Sequence, residues 1–392
     1  MMSRSSLFAQ RIENLSGSVA REILSRTEAT DVVSFAGGLP GREVWAGLRL
    51  PPIEDEYFQY GPSEGDSELR NVFAGRVRDA GLNVSDRSVL VTSGAQQGLD
   101  LVAKLFLEKG RTVIVEEPTY LAALQVFRLF EARVVAVPLD GEGISMGKLQ
   151  EAAETHGADL AYLNPSYHNP TGLVYSTERR KGLAAFFDRR NIALVEDDPY
   201  RDLSYDGATP PAIASFMKSG SWVYLNSLSK TLMPGLRLGC LACSEEFFTP
   251  LLKLKQAADL HSNRISQGIA GKLLSDEKFL ARHVEKIRIA YGAKRNEMSR
   301  VLENWMQEIA EWTEPQGGMF FWLKLSRSVD LQKTLDLCLK RGVAFMPGDP
   351  FFAEATGRSR HIRLNFTHPA LGQIEQGVRA IGECLEIVCL EK

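Results

Sequence analysis

From residue 87 onward the chain alternates short β-branched runs with helix-period stretches, and this alternation restricts the fold more than any other feature. Ser88–Thr92 (SVLVT) precedes an apolar helical pattern from Ala95 to about Glu108, and Thr112–Glu116 (TVIVE) precedes another near Leu121–Phe130. The runs Arg133–Val137, Leu160–Asn164, Ile192–Glu196, Trp222–Asn226 and Leu236–Ala242 continue the series. Ser176 and Thr177 are candidate caps for the intervening helix, which ends near Arg190. Strands alternating with helices of this length predict an α/β fold, a mainly parallel sheet with helices on both faces. After about residue 265 the pattern changes. A long charged helical stretch, Gln267 to about Asn304, leads into GGMFFWLKL, a helix near Leu331–Arg341, then GVAFMPGD and HIRLNF. This reads as a smaller α+β unit joined through a long helix. The first thirty or so residues have a helical pattern and suit an arm, since they precede the first strand-like run, VVSFAGG.

Composition narrows the class of protein. At about 100–200 residues per domain, 392 residues allow two or three domains. Lys plus Arg number 46 against 49 Asp plus Glu, a net charge of −3, which argues against a nucleic-acid binder. Nowhere do about 18 apolar residues run together, so no membrane-spanning helix is expected. The start, MMSRSSLFAQRIENL, lacks the apolar run of a secretory signal, so a cytoplasmic location is expected. Five cysteines are too few for a disulfide scaffold in a chain of this length. Cys240 and Cys243 form a C-x-x-C, but RLGCLACS reads as a strand, where residues three apart face opposite sides. No second Cys or His pair stands at zinc spacing, so both are expected to be buried small residues and no metal is expected.

Chemistry concentrates where predicted strands end. In SLSKTLMPGLRLG (Ser227–Gly239), Lys230 lies just past a strand among small hydroxyls and apolar residues. That is a poor setting for a solvated ammonium and a good one for an amine that must lose its proton and attack a carbonyl. Upstream, NPSYHNPTG places Asn169 in a turn, and EDDPY places Asp197 and Tyr200 three apart at another strand end. Asn169, Asp197 and Lys230 are separated by about one strand–helix unit each, so they emerge on one edge of a parallel sheet, where ligands gather. In SGAQQG (Ser93–Gly98), the amides of Gly94, Ala95 and Gln96 open a helix and form an anion site. With Ser227, Ser229 and Arg237 they would make a phosphate cup.

These motifs, together with SFAGGLP, QYGPSEG, EEPTY, GGMFFW and RLNF, resemble the pyridoxal-5′-phosphate (PLP) dependent aminotransferases of class I/II and fold type I over nearly the whole chain. The resemblance is closer to the 2-aminoadipate and kynurenine/aminoadipate aminotransferases and to the aminotransferase half of MocR-type regulators. It implies a seven-stranded-type sheet in a large PLP-binding domain (46–285), a small C-terminal domain (286–392), and an arm with part of the small domain (1–45). It implies that Lys230 holds PLP as a Schiff base and moves the Cα proton, and that Asp197 pairs with the pyridine nitrogen. Tyr200 and Asn169 would bond the ring oxygen, Tyr120 would stack on the ring, and Tyr60 would reach the phosphate of a neighbouring subunit in a homodimer. Arg363 would bind the substrate α-carboxylate, Gly38 would let the backbone approach the substrate, and Arg21 would meet a distal carboxylate. The activity implied is amino transfer between an L-amino acid and a 2-oxo acid, 2-oxoglutarate for preference. A β-lyase, decarboxylase or synthase on the same scaffold is the alternative. The stretch Leu39–Tyr60 is shorter than in aminoadipate-type enzymes. No DNA-binding role is expected, because the 85 or so residues before the sheet already carry family motifs.

Overall fold

The computed structural model describes residues 7–15, 17, 19–27, 32–354 and 360–390. Strand β1 (Val33–Ser34) stands apart from the main sheet, which holds β2 (Val89–Thr92), β3 (Thr112–Glu117), β4 (Arg133–Asp140), β5 (Gly143–Ile144), β6 (Leu160–Leu163), β7 (Ala193–Asp197), β8 (Trp222–Ser227) and β9 (Gly239–Cys243). Their spatial order is β2-β9-β8-β7-β6-β3-β4-β5. The pairs β4–β3, β3–β6, β6–β7 and β7–β8 are parallel, while β9 runs antiparallel between β8 and β2. Strands β2, β6, β7 and β9 are buried at every position, as a sheet covered on both faces requires.

Alternate residues of each strand feed two cores. Ile114, Ala161, Leu194 and Tyr224 pack with Phe73, Leu183 and Phe187 under the helices Ser67–Asp79, Thr177–Asp188 and Arg264–Leu274. Val115, Tyr162, Val195 and Val223 pack with Leu101, Phe127 and Leu251 under Ala95–Phe106, Leu121–Leu129 and Glu245–Asp259. Cys240 belongs to the first core and Cys243 to the second, which is the opposite-face placement read from the strand pattern. Burial pushes both thiols up to about 12.

Three local expectations are corrected. The sheet has eight strands because β5 adds a two-residue hairpin to β4. The strand expected over Leu236–Ala242 starts at Gly239: Pro234–Leu236 forms a single 3-10 turn, and Arg237 closes it in the left-handed region at φ 52°. Arg237 therefore precedes its strand. The single long helix is two, Arg264–Leu274 and Glu277–Met306, since the Asp276 carboxylate accepts from the Phe279 amide at 3.0 Å and opens a new N-terminus. Ser176 caps Thr177–Asp188 as expected, accepting from the Arg179 amide at 3.1 Å.

Beyond the 30-residue helix Glu277–Met306, which runs across the expected 285/286 boundary, a second sheet has the order β10 (Ala310–Glu311), β11 (Phe320–Leu325), β14 (His361–Asn365), β13 (Met346–Pro347), all antiparallel. Strand β12 (Val343–Ala344) pairs in parallel with β1. This pairing carries residues 35–41 alongside β14, and the two are sewn together. The Asn365 amide donates to Phe35 O at 2.8 Å, and Asn365 Nδ2 donates to Gly37 O and Leu39 O at 2.6 and 2.8 Å. A third core forms here around Phe35, Tyr291, Met298, Phe320, Phe345 and Ile381. Among the described residues no helix is long and apolar enough to cross a membrane, and no cluster of three or more His, Cys, Asp or Glu is placed to hold a metal.

Gly239 fixes how closely β9 approaches the start of the helix Ala95–Phe106. A Cβ there would lie 2.6 Å from Asn226 O and 2.9 Å from the Ala95 amide nitrogen, both backbone atoms. Gly239→Ala is expected to lower stability to urea unfolding by about 1–3 kcal/mol, the usual cost of overpacking. Gly147→Ala, in a helix with open space around it, is expected to leave stability unchanged or raise it by about 0.5–1 kcal/mol.

Candidate active site

The parallel strands run in one direction, so their carboxyl ends share an edge, and β9, running the other way, starts there. The segments that follow β2, β3, β6, β7 and β8, and the turn before β9, bring polar groups to a cavity of about 340 Å³. From β2 comes the turn into the helix Ala95–Phe106, whose first residues Ala95 and Gln96 line the cavity. Gly94, at φ 81°, lies against Arg237: a Cβ on it would stand 2.9 Å from Arg237 Nη2. From β8 come Ser227, Ser229 and Lys230, and the turn before β9 supplies Arg237, whose Nη1 donates to Ser229 Oγ at 3.3 Å. From β3 comes Tyr120, from β6 Asn169, and from β7 Asp197 and Tyr200.

The second sheet closes the opposite side. Arg363 on β14 is 2 % exposed and lies between two rings, 4.2 Å from the centroid of Phe320 and 4.9 Å from that of Phe351. Its Nη1 donates to Asn169 Oδ1 at 2.7 Å and its Nη2 to Ala36 O at 2.6 Å, while Nε is buried with no hydrogen-bond partner among the described residues. Gly38 lines the cavity and its carbonyl accepts from Lys230 Nζ at 2.7 Å. Arg21, on the exposed face of the helix Val19–Thr27, reaches the rim beside Leu24. Tyr60 lies apart from the other anticipated residues. It is 78 % exposed, lies outside this cavity and packs edge-on to His261 at 5.7 Å.

Burial sets the electrostatics. The Lys230 ammonium is brought down to about 8, first by desolvation and then by the Arg237 and Arg363 charges, against the pull of Asp197. Asp197 is raised to about 7, chiefly by desolvation, with Asp198 and Glu116 adding repulsion. Its Oδ2 accepts from the Tyr162 hydroxyl at 2.7 Å, while Oδ1 is buried with no hydrogen-bond partner among the described residues. Desolvation also brings the Arg363 guanidinium down to about 10 and raises Tyr120 to about 12. Asn164 ties two strand ends together: its Oδ1 accepts from the Asn169 amide at 2.7 Å, and its Nδ2 donates to Asp197 O.

Sequence reasoning missed Tyr162, Asn164 and the apolar wall of Leu24, Leu39, Leu121 and Ala122. The signal available for Tyr162 was a hydroxyl two residues ahead of Asn164 in an otherwise apolar strand.

Residues 53–381 match the family described as aminotransferase class I and II. The aromatic-amino-acid aminotransferase 1 of Thermococcus litoralis is 34% identical over 393 residues, covering 97% of this chain and 94% of that one. The crystal structure of LysN, an α-aminoadipate aminotransferase of Thermus thermophilus complexed with N-(5′-phosphopyridoxyl)-L-leucine, superimposes with a TM-score of 0.91 at 32% identity over 100% of both chains. An HTH-type transcriptional regulator of Bacillus subtilis, YdfD, is 30% identical over 95% of this chain and 77% of its own length. The chain belongs to the class I and II aminotransferase family.

The cations around Lys230 give a direct check. In cofactor-free protein, competitive acetylation is expected to show Lys230 titrating at about 8, well below an ordinary lysine. Arg237→Leu is expected to raise that value, since it removes the first of the two repelling charges. A Lys230 that titrates like a surface lysine would contradict the dry environment described.

Proposed function

We propose that this chain uses pyridoxal phosphate to move an amino group between an L-amino acid and a 2-oxo acid, with 2-oxoglutarate as the acceptor. The observation that carries the proposal is the meeting of Lys230, the Asp197 carboxylate, one oxygen of which has no partner among the described residues, and the guanidinium of Arg363 around one cavity. The residues present fit the cofactor at both ends. Helix-start amides at Gly94–Gln96, the hydroxyls of Ser227 and Ser229 and the exposed guanidinium of Arg237 suit a phosphate, and Gly94 leaves the space a Cβ would fill. Asp197 Oδ1, buried and unmatched, suits a protonated ring nitrogen. Bound there, pyridoxal phosphate supplies a carbonyl carbon that condenses with amines and a protonated ring that accepts the electrons left when Cα loses its proton.

The chain's own groups do the rest. Lys230, with its proton affinity lowered, holds the cofactor through its amine and afterwards takes the Cα proton from one position and returns it to another, a service worth about 10²–10⁴-fold. Asp197 keeps the ring nitrogen protonated. Asn169 and Tyr200, linked by a long 3.4 Å contact, would hold the ring oxygen, and Tyr120 would stack on the ring. Arg363 binds the α-carboxylate with the donor left over on Nε, its flanking rings excluding water. Gly38 lets the backbone approach the substrate. Arg21 meets the distal carboxylate of acidic substrates, while Leu39, Leu121 and Ala122 contact apolar or aromatic ones.

The working unit is a cytoplasmic homodimer in which Tyr60, exposed in the single chain, reaches the neighbouring subunit's phosphate. Residues 46–285 form the cofactor-binding domain, and 286–392 with part of 1–45 form a smaller domain that closes on substrate.

The half-reaction tests this reading. Holoprotein mixed with an amino acid alone is expected to lose the pyridoxal absorbance, gain that of the pyridoxamine form, and recover on addition of a 2-oxo acid. Release of ammonia and pyruvate without that conversion would identify a lyase instead. In the same assay Arg21→Ala is expected to cut kcat/KM for acidic substrates about tenfold, equivalent to about 1.4 kcal/mol, and for aromatic ones less than about twofold. An equal loss for both would remove Arg21 from the pocket.

A further inference from the structure

Tyr162 has no place in the roles above, yet its hydroxyl is hydrogen-bonded to the Asp197 carboxylate. It is the third residue of β6, fully buried, with its ring edge-on to Phe127 at 5.7 Å. Its hydroxyl donates to Asp197 Oδ2 at 2.7 Å. The other oxygen, Oδ1, is left as the acceptor without a partner among the described residues. Asp197 needs this help because of what surrounds it. Desolvation and the nearby carboxylates of Asp198 and Glu116 favour its protonated form, and the Tyr162 bond and the Lys230 charge act against them. A carboxylate that basic competes for a proton it is meant to share.

We propose that Tyr162 is a positioning residue: by donating to Oδ2 it keeps Asp197 ionised and leaves Oδ1 as the available oxygen, so that the proton between Asp197 and the cofactor's ring nitrogen stays on the ring. The inference rests on the reading of this cavity as a pyridoxal phosphate site with Asp197 at the ring nitrogen. A neutral donor suits the task better than a lysine or arginine would. It stabilises the anion without cancelling its charge, so the full attraction for a pyridinium remains. Burial and the Asp197 charge hold the Tyr162 phenol well above its ordinary range, so it remains a donor throughout the working pH range. The phenols of Tyr120 and Tyr200, raised mainly by burial, likewise stay neutral and add no charge at the site.

The test uses holoenzyme carrying pyridoxal phosphate labelled with nitrogen-15 in the ring, and reads the ring-nitrogen resonance. Wild-type protein is expected to show a protonated ring nitrogen. Tyr162→Phe is expected to move the resonance downfield, with the proton partition shifted toward Asp197 by about tenfold, one pKa unit. Replacement of Tyr162 by 3-fluorotyrosine keeps the shape of the site and strengthens the donor, so the resonance is expected to move upfield. If Tyr162→Phe does not fold, the fluorinated protein decides alone, and an unchanged or downfield resonance there overturns the inference. A protonated ring in wild type that is unaltered in Tyr162→Phe overturns the role of Tyr162 and leaves the cofactor reading standing. An unprotonated ring nitrogen in wild type overturns the reading of Asp197 and the inference with it.

Discussion

The site depends on keeping three charges of mixed sign in a space from which water is largely excluded. Asp197 and Arg363 are nearly inaccessible, and Lys230, half-buried, lines the same cavity. Isolated charges in such a place would cost several kcal/mol each, so every one is compensated. Asp197 takes the Tyr162 hydroxyl, Arg363 takes Asn169 and the Ala36 carbonyl, and Lys230 takes the Gly38 carbonyl. Among the described residues the compensation is incomplete at two atoms of this trio, Asp197 Oδ1 and Arg363 Nε. Those are the atoms the proposed chemistry requires to be available. What the protein leaves unsatisfied is thus as informative as what it pairs.

The second constraint is the short segment from Phe35 to Gly41. It is anchored to the second sheet through Asn365, to the long helix through the bond from the Gly41 amide to the Tyr291 hydroxyl at 2.7 Å, and to the main sheet's edge through Lys230. The backbone carbonyls of Ala36 and Gly38 therefore meet a cation from each sheet. Any movement of the second sheet relative to the first has to rearrange these two contacts, which places Arg363 and Lys230 under a shared restraint.

Much of this was legible in the sequence because parallel strands announce themselves twice, by a β-branched run and by the polar turn that follows it. Lys230, Asp197 and Asn169 stood at such turns one strand–helix unit apart, so their convergence on an edge followed from topology. The Cys240 and Cys243 placement followed from the two-residue strand period. Other features lay outside the reach of local patterns. Tyr162 is hidden in an apolar strand, and its importance comes from a partner 35 residues away. Asn365 acts on carbonyls more than 320 residues distant in sequence. Arg237 leaves its expected strand because Pro234–Gly235 turns the chain first, and the break at Ser275–Asp276 interrupts a continuous helical period with a cap. In each case a non-local contact, a tight turn or a single capping bond overrode the pattern.

The most direct measurement is the identity of the residue that carries the cofactor. Holoprotein reduced with borohydride, digested and mapped by mass spectrometry is expected to yield the pyridoxyl group on the peptide containing Lys230 and on no other lysine. A pyridoxyl group fixed elsewhere, or stoichiometric binding of the cofactor with Lys230 left unmodified, would contradict the arrangement of Lys230, Asp197 and Arg363 around one cofactor.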